Sequence, residues 1–386
     1  MTLPDYRGGS IVNLMASIEA ALGGANPAYP PLVLLPPSTL AGARSVVLLV
    51  IDGLGYNYLT RTGAGGALHR HLRGRITSVF PSTTASAITA FLTGLAPQQH
   101  ALTGWHTYFR EIGTVAAVLP FRPRLGGPAL SETGASPAAL LAPRPLSDRL
   151  KTPAYMVSPA RIVHSEFNRA YGGTAQRRGY DSLEQLFGTV ASILRQGDKR
   201  QYIYAYYPEL DALAHEHGIS SQPVAEEFAR LDTAFDRFLA AIRGSDTAVI
   251  VTADHGLIDS PPERLIQLDD HPALAETLVL PLCGERRAAY CYVHPAREQQ
   301  FRDYVTGELG DYVTLRASAD LVEEGWFGLG PPSPRLLERI GHYTLVMKGN
   351  YTIKDWLLGE RRHVHVGVHG GVSEGEMYVP LILANA

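Results

Sequence analysis

SVVLLVIDG, residues Ser45 to Gly53, is an unbroken apolar run that stops abruptly at Asp52-Gly53. Apolar residues without alternation mark a strand covered on both faces, as in a parallel sheet. Two further stretches share this character, YIYAYY (Tyr202–Tyr207) and TAVIVTA (Thr247–Ala253), and each runs into a polar cluster. Between them, Phe228, Leu231, Phe235, Phe238 and Ile242 recur at helical spacing and predict a crossover helix. Such a β-α-β unit delivers polar residues at the carboxyl ends of its strands, the edge where sites form in open α/β sheets. The expected fold is therefore α/β, with a mostly parallel central sheet covered on both faces.

Outward from that core the rhythm changes. The region from Phe109 to Pro145 is rich in Pro, Gly and Ala and is expected to form a long loop or cover. Residues 261–349 read as a small α+β insertion within a single domain of residues 1–386. The insertion contains RAAYCYVH (Arg287–His294), a helical stretch beginning near Ala296, and HYTLVMKG (His342–Gly349). Near the N-terminus, Ile11, Leu14, Ile18 and Leu22 define one face of a short amphipathic helix. A chain of 386 residues buries a substantial core without an external staple. Cys283 and Cys291, the only cysteines, form no metal-type C-x-x-C pair and read as two reduced thiols near strands.

A formal charge of −3, with no basic run or acidic tail, disfavours a nucleic-acid polymer or an anionic membrane as partner. No stretch approaches the length of a membrane span. The first residues lack the basic start and apolar run of a secretory signal, so a cytoplasmic location is expected.

Five clusters carry residues that chemistry can use. They are Asp52 after its strand; FPSTTASAITAFLTG (Phe80–Gly94); Asp211 with His215; Ala253-Asp254-His255-Gly256; and Val368-His369-Gly370-Gly371. Singly, each has an ordinary reading: a strand-to-turn signal, a helix N-cap, an exposed helical pair, a turn residue. Together they offer three carboxylates and three imidazoles. Asp211 and His215 are four apart and share a helical face, while Asp254 and His255 sit where a sharp turn can aim both inward. That mixture of oxygen and nitrogen donors suits zinc or another first-row divalent metal, and six ligands can serve two ions. Two dications against three carboxylates leave about one net positive charge, which stabilises an alkoxide and a phosphate anion together. The alkoxide would come from the Ser-Thr-Thr run, at a helix start whose free N–H groups favour a phosphoryl oxygen. Spacing alone does not choose among Ser82, Thr83 and Thr84. His365, alternating with valines in HVHVGVH, is expected to be a strand residue facing solvent or a neighbour.

As a set, these motifs resemble the alkaline-phosphatase superfamily and, within it, the type I phosphodiesterase/nucleotide pyrophosphatase family. The matching residues are Asp52-Gly53, Thr84 nine positions before Thr93-Gly94, Asp211 with His215 and Gly218, Ala253-Asp254-His255-Gly256, and His369-Gly370. Their order agrees from about residue 45 onward. The resemblance implies an alkaline-phosphatase-like three-layer sandwich and Thr84 as the nucleophile. It implies one metal held by Asp211, His215 and His369, and another by Asp52, Asp254, His255 and the Thr84 oxygen. By analogy, Thr84 attacks phosphorus to give a phospho-enzyme, and water delivered by the first metal releases phosphate. Two departures stand out. Trp105, with His106 beside it, occupies the place of an Asn that holds a phosphate oxygen in nucleotide pyrophosphatases. Ala85 replaces an aromatic residue that stacks on the base. Trp105, His106 and Arg110 are the candidate substrate contacts in their stead, with Tyr108 as a further substitute and Arg161 as a second candidate cation.

The leading expectation is a metal-dependent phosphodiesterase of nucleotide-pyrophosphatase type acting on a small-molecule ester. A phosphomonoesterase or a phosphonate hydrolase would use the same site. A phosphomutase should need a larger, Arg-lined cap and usually a Ser nucleophile. A non-catalytic metal-binding protein should have lost one of the six ligands or the hydroxyl, and all are present here.

Overall fold

The three apolar runs lie side by side. Strand Ser45–Ile51 sits between Gln201–Tyr207 and Thr247–Thr252 and is parallel to both, with Ser45 opposite Gln201 on one side and Thr247 on the other. Every residue of Ser45–Ile51 is buried, which is why its sequence shows no alternation. In this computed structural model, which describes residues 1–25, 27–142, 144–196 and 199–386, the central sheet has seven strands. Their order is Leu72–Thr77, Tyr378–Asn385, Thr247–Thr252, Ser45–Ile51, Gln201–Tyr207, Ala154–Pro159 and Gln176–Tyr180. Tyr378–Asn385 alone runs antiparallel, against both of its neighbours.

Two groups of helices cover this sheet. The 20-residue helix Gln222–Ala241 buries Val224, Phe228, Leu231, Phe235 and Phe238, as its periodicity predicts, and packs on Leu183–Gln196. The other group joins Ile11–Ala21, Thr84–Thr93 and Glu166–Gly172. Ile11–Ala21 differs from the one-faced helix expected, because its polar positions are buried too. They act as anchors: Asn13 Nδ2 donates to the carbonyls of Tyr6 (2.9 Å) and Pro30 (2.8 Å), Ser17 Oγ accepts from Leu32 N (2.8 Å), and Glu19 pairs with Arg149 (2.9 Å).

A second seven-stranded sheet runs in the order Val313–Ala317, Tyr343–Met347, Ala288–Cys291, Cys283–Gly284, His106–Phe109, Thr114–Ala117 and Arg122–Pro123. Period-2 side-chain alternation explains the apolar text of RAAYCYVH. Ala288 and Tyr290 face a cluster with Phe80, Trp326 and Phe327, while Ala289 and Cys291 face one with Phe301, Val305 and Leu345. Both cysteines are free and buried. The helix expected near Ala296 spans Glu298–Glu308.

The stretch from Phe109 to Pro145 is not simply a loop. It supplies two short strands to the second sheet and turns through Leu130–Thr133 and Pro137–Leu141, with Pro143 outside the described residues. Strands of two to four residues are too short to display a period, so Pro and Gly dominated the reading. The sheet is thus assembled from two distant segments, joined through the pair Gly284–His106. Arg287 anchors it to the central unit through a buried bidentate ion pair with Glu376, Nε–Oε1 3.0 Å and Nη2–Oε2 2.9 Å. Among the described residues no helix is long and apolar enough to cross a membrane.

Candidate active site

Because Thr247–Thr252, Ser45–Ile51 and Gln201–Tyr207 are parallel neighbours, their carboxyl ends open onto one edge. Asp52 follows the middle strand, Asp254 follows one neighbour, and Asp211 lies in helix Glu209–His217 just after the other. The turn at Gly53 requires glycine twice over. Its φ is +74°, and a Cβ there would sit 2.6 Å from Leu257 Cδ1 and 3.1 Å from Asp211 Cβ. Gly53 N donates to Asp254 Oδ1 at 3.1 Å, tying two of the strand ends together.

Thr84 is the first residue of the wholly buried helix Thr84–Thr93, so the N–H groups of the first turn have no partner within the helix. Its Oγ1 lies 3.1 Å from His255 Nε2. The same nitrogen is 3.4 Å from Asp52 Oδ1 and 3.4 Å from Asp254 Oδ2. His215 Nε2 lies 3.2 Å from Asp211 Oδ2, and the rings of His255 and His369 stack at 3.7 Å between centroids. Thr83 instead donates to Glu285 Oε1 (2.6 Å) and Ser82 to the Gly371 carbonyl (2.7 Å). Of the three hydroxyls, it is that of Thr84 that lies against an imidazole.

All three imidazoles are oriented alike. Nδ1 of His215, His255 and His369 approaches the carbonyls of Gly367 (2.8 Å), Gly256 (3.1 Å) and Ser82 (3.2 Å). A carbonyl only accepts, so each Nδ1 carries the proton and each Nε2 presents a lone pair to the cluster. Asp52 Oδ1, Asp211 Oδ1 and Asp254 Oδ2 are buried without a hydrogen-bond partner among the described residues. Electron pairs thus converge where protein donors are lacking. Asp211, His255 and His369 can offer atoms within 4.8 Å of one another, and so can Asp52, Asp254 and His255. This donor set fits divalent cations, because only a cation satisfies the unpartnered oxygens and the lone pairs together.

The charges agree with that fit. Burial, then the charges of Asp254 and Asp211, pushes the Asp52 carboxyl well above the usual carboxylate range. Asp254 is raised as well, by burial first, with His255 opposing and Asp211 adding. Asp211 and His215 instead favour each other's charged forms: burial opposes both, but His215 brings the Asp211 carboxyl down and Asp211 brings His215 up. Burial and the neighbouring His255 hold His369 well below the usual imidazole range. Tyr206, whose hydroxyl donates to Asp52 Oδ2, was not singled out in the sequence because it lies within a strand of tyrosines.

A cavity of about 770 Å³ opens from this cluster. Trp105 and His106 line it, as does Arg161, whereas Arg110 is absent from its wall and pairs with Glu338 at the surface. His365 lies in no strand: its ring packs 4.3 Å from that of His215, on the cavity wall. Glu285, Arg286, Lys354 and Trp356 also line the cavity. Glu285 and Arg286 come from the turn between Cys283–Gly284 and Ala288–Cys291, Lys354 ends the strand Thr352–Lys354 that pairs with Leu265–Gln267, and Trp356 follows it; no motif marks them.

Fold and sequence motifs together define an alkaline-phosphatase-superfamily protein. Residues 46–371 match the type I phosphodiesterase/nucleotide pyrophosphatase family, and the chain belongs to it. No curated protein matches it by sequence. Among solved structures it is similar to murine ectonucleotide pyrophosphatase/phosphodiesterase 5, an inactive form in complex with AMP. The identity is 15%, 87% of each chain is covered, and the TM-score is 0.66. It is also similar to phosphonoacetate hydrolase from Sinorhizobium meliloti 1021 in complex with phosphonoacetate, at 18% identity over 89% of this chain and 90% of that one, with a TM-score of 0.63.

Proposed function

We propose that this protein is a two-metal phosphodiesterase of nucleotide-pyrophosphatase type, with a phosphothreonine intermediate on Thr84. The reading takes residues 1–386 as one catalytic domain in which 261–349 form a subdomain facing the cavity. The observation that carries it is the set of unpartnered buried oxygens on Asp52, Asp211 and Asp254, facing imidazole lone pairs beside the Thr84 hydroxyl. Asp211, His215 and His369 would hold one ion, and Asp52, Asp254, His255 and Thr84 the other, with zinc best suited to the mixed donors. Bound there, the ions supply Lewis-acid activation of the hydroxyl and neutralise phosphate charge.

The protein's own groups then do the rest. Thr84 Oγ1 forms a bond to phosphorus as the bond to the leaving oxygen breaks. First-turn N–H groups of the Thr84–Thr93 helix steady a non-bridging oxygen. The Thr84 proton leaves with the departing oxygen and the threonyl ester keeps the second arm. Water then adds to phosphorus as the Oγ1–phosphorus bond breaks, releasing a phosphomonoester while a proton from the water restores the hydroxyl. The cavity has ample room for both arms of a small-molecule diester, and a cytoplasmic setting completes the reading.

The test is a paired assay of metal-loaded protein on bis-p-nitrophenyl phosphate and p-nitrophenyl phosphate. The diester should be preferred. Thr84→Ala should lower its turnover by about 10³-fold or more, with metal content unchanged by elemental analysis. Wild-type turnover in that variant sinks the nucleophile assignment. A phosphonate substrate, the ligand class of the second relative, is the alternative on the same site. Turnover of phosphonoacetate with both nitrophenyl esters refused would select it.

A further inference from the structure

The cavity wall carries a charge that the proposed chemistry does not use. Five cations line it: Arg124, Arg161, Arg286, Lys354 and Arg361. Three are answered by carboxylates. Arg124 meets Asp355 at 2.7 Å and Glu360 at 3.0 Å, Lys354 meets Glu360 at 2.8 Å, and Arg161 meets Glu209 at 3.2 Å. Among the described residues, neither Arg286 nor Arg361 has a carboxylate within ion-pair distance.

Arg286 is the better placed of these two. Its backbone is fixed, since its carbonyl accepts from Ile353 N at 2.9 Å. The preceding residue, Glu285, accepts from Thr83 Oγ1 and Trp105 N, both at 2.6 Å, beside the start of the Thr84 helix. The guanidinium makes a single hydrogen bond among the described residues, from Nη2 to the His363 carbonyl at 2.9 Å, and lies 6.0 Å from the centroid of the Trp356 ring. Its other N–H donors are left for a ligand. Burial works against its charge and brings its pKa down, with Glu285 and Glu360 compensating only in part. A half-buried guanidinium with N–H donors to spare and no carboxylate in ion-pair contact is one that a bound anion would pair.

The geometry points to Arg286 as the residue that reads a second anionic group, a carboxylate or a phosphate, carried by the substrate away from the reacting phosphorus. The assignment rests on the hydrolase reading above and narrows it to substrates with two anionic centres. Arg361, exposed at the rim, adds to the attraction without fixing the geometry.

Three p-nitrophenyl diesters test it, with an ethyl, a carboxyethyl or a phosphoethyl group as the second arm. All release the same chromophore. Wild-type kcat/KM should favour one anionic arm over the ethyl arm by about tenfold or more, the worth of a charge-assisted hydrogen bond. Whichever arm gains identifies the anion. Arg286→Ala should bring that ratio to about one, and Arg286→Lys should keep part of it, retaining charge without the planar fork. If Arg286 only tethered the His363 loop, all three diesters would suffer alike and the ratio would survive. Calorimetric Kd values for the same diesters on Thr84→Ala protein give the ratio without turnover, which separates failure of this assignment from failure of the hydrolase reading. A wild-type ratio near one on both anionic arms, or a ratio that persists in Arg286→Ala, overturns it.

Discussion

At the scale of single residues, the contact that turns a donor set into a site is the one made by Tyr206. Its hydroxyl donates to Asp52 Oδ2 and leaves Oδ1 free to face His255. Tyr206→Phe should keep the fold and weaken metal affinity by about 10- to 100-fold, the usual effect of losing a group that orients a ligand. A metal-buffer titration reads this directly, and unchanged affinity would show that the strand end alone orients Asp52. On the proposed two-ion reading, Asp211→Ala should lose one equivalent of metal and keep the other. The six donors were legible in the sequence because each follows an abrupt end to an apolar run or sits at a fixed offset from one. Tyr206 was not, since an inward Tyr in YIYAYY looks the same whether it packs or donates. Arg286 and Glu285 were hidden for another reason: they reach the cavity through folding of the second sheet, over distances no local spacing encodes.

At the scale of elements, the second sheet is tied to the site by the Arg287–Glu376 pair. Glu376 also accepts from Gly371 N at 2.8 Å and Ser373 Oγ at 2.6 Å, so one carboxylate organises the turn that follows His369. Arg287→Ala leaves that carboxylate buried and unpaired, which should cost about 3–5 kcal/mol. Urea unfolding of the metal-free protein should show the loss, and metal affinity should fall with it because the His369 turn loosens. A variant of normal stability would mean that Glu376 finds other partners. The central strands were readable from their apolar runs, as was the crossover helix from its period. The strands at Thr114–Ala117 and Arg122–Pro123 were not, being shorter than the windows in which a period can be seen.

For the molecule as a whole, the site should set how stability depends on pH. Asp52 and Asp254 have carboxyls raised by burial and by neighbouring charge. A carboxyl raised in the folded state contributes stability that is complete below its unfolded pKa and is lost as pH rises through its folded pKa. The depressed His369 acts with the opposite sign up to the usual imidazole range. Metal-free protein should therefore lose stability on going from about pH 7 to about pH 9, and the gain in Tm on adding zinc should be larger at the higher pH. Thermal melts with and without chelator check both signs, and an equal gain at the two pH values would contradict the proposed ligands. The antiparallel strand Tyr378–Asn385 has a consequence for the birth of the molecule. It is wedged between Leu72–Thr77 and Thr247–Thr252, so those strands wait on a ribosome for a partner made long after them. Until it emerges the sheet stays split, and nascent chains are expected to need shelter from association through those unpaired edges.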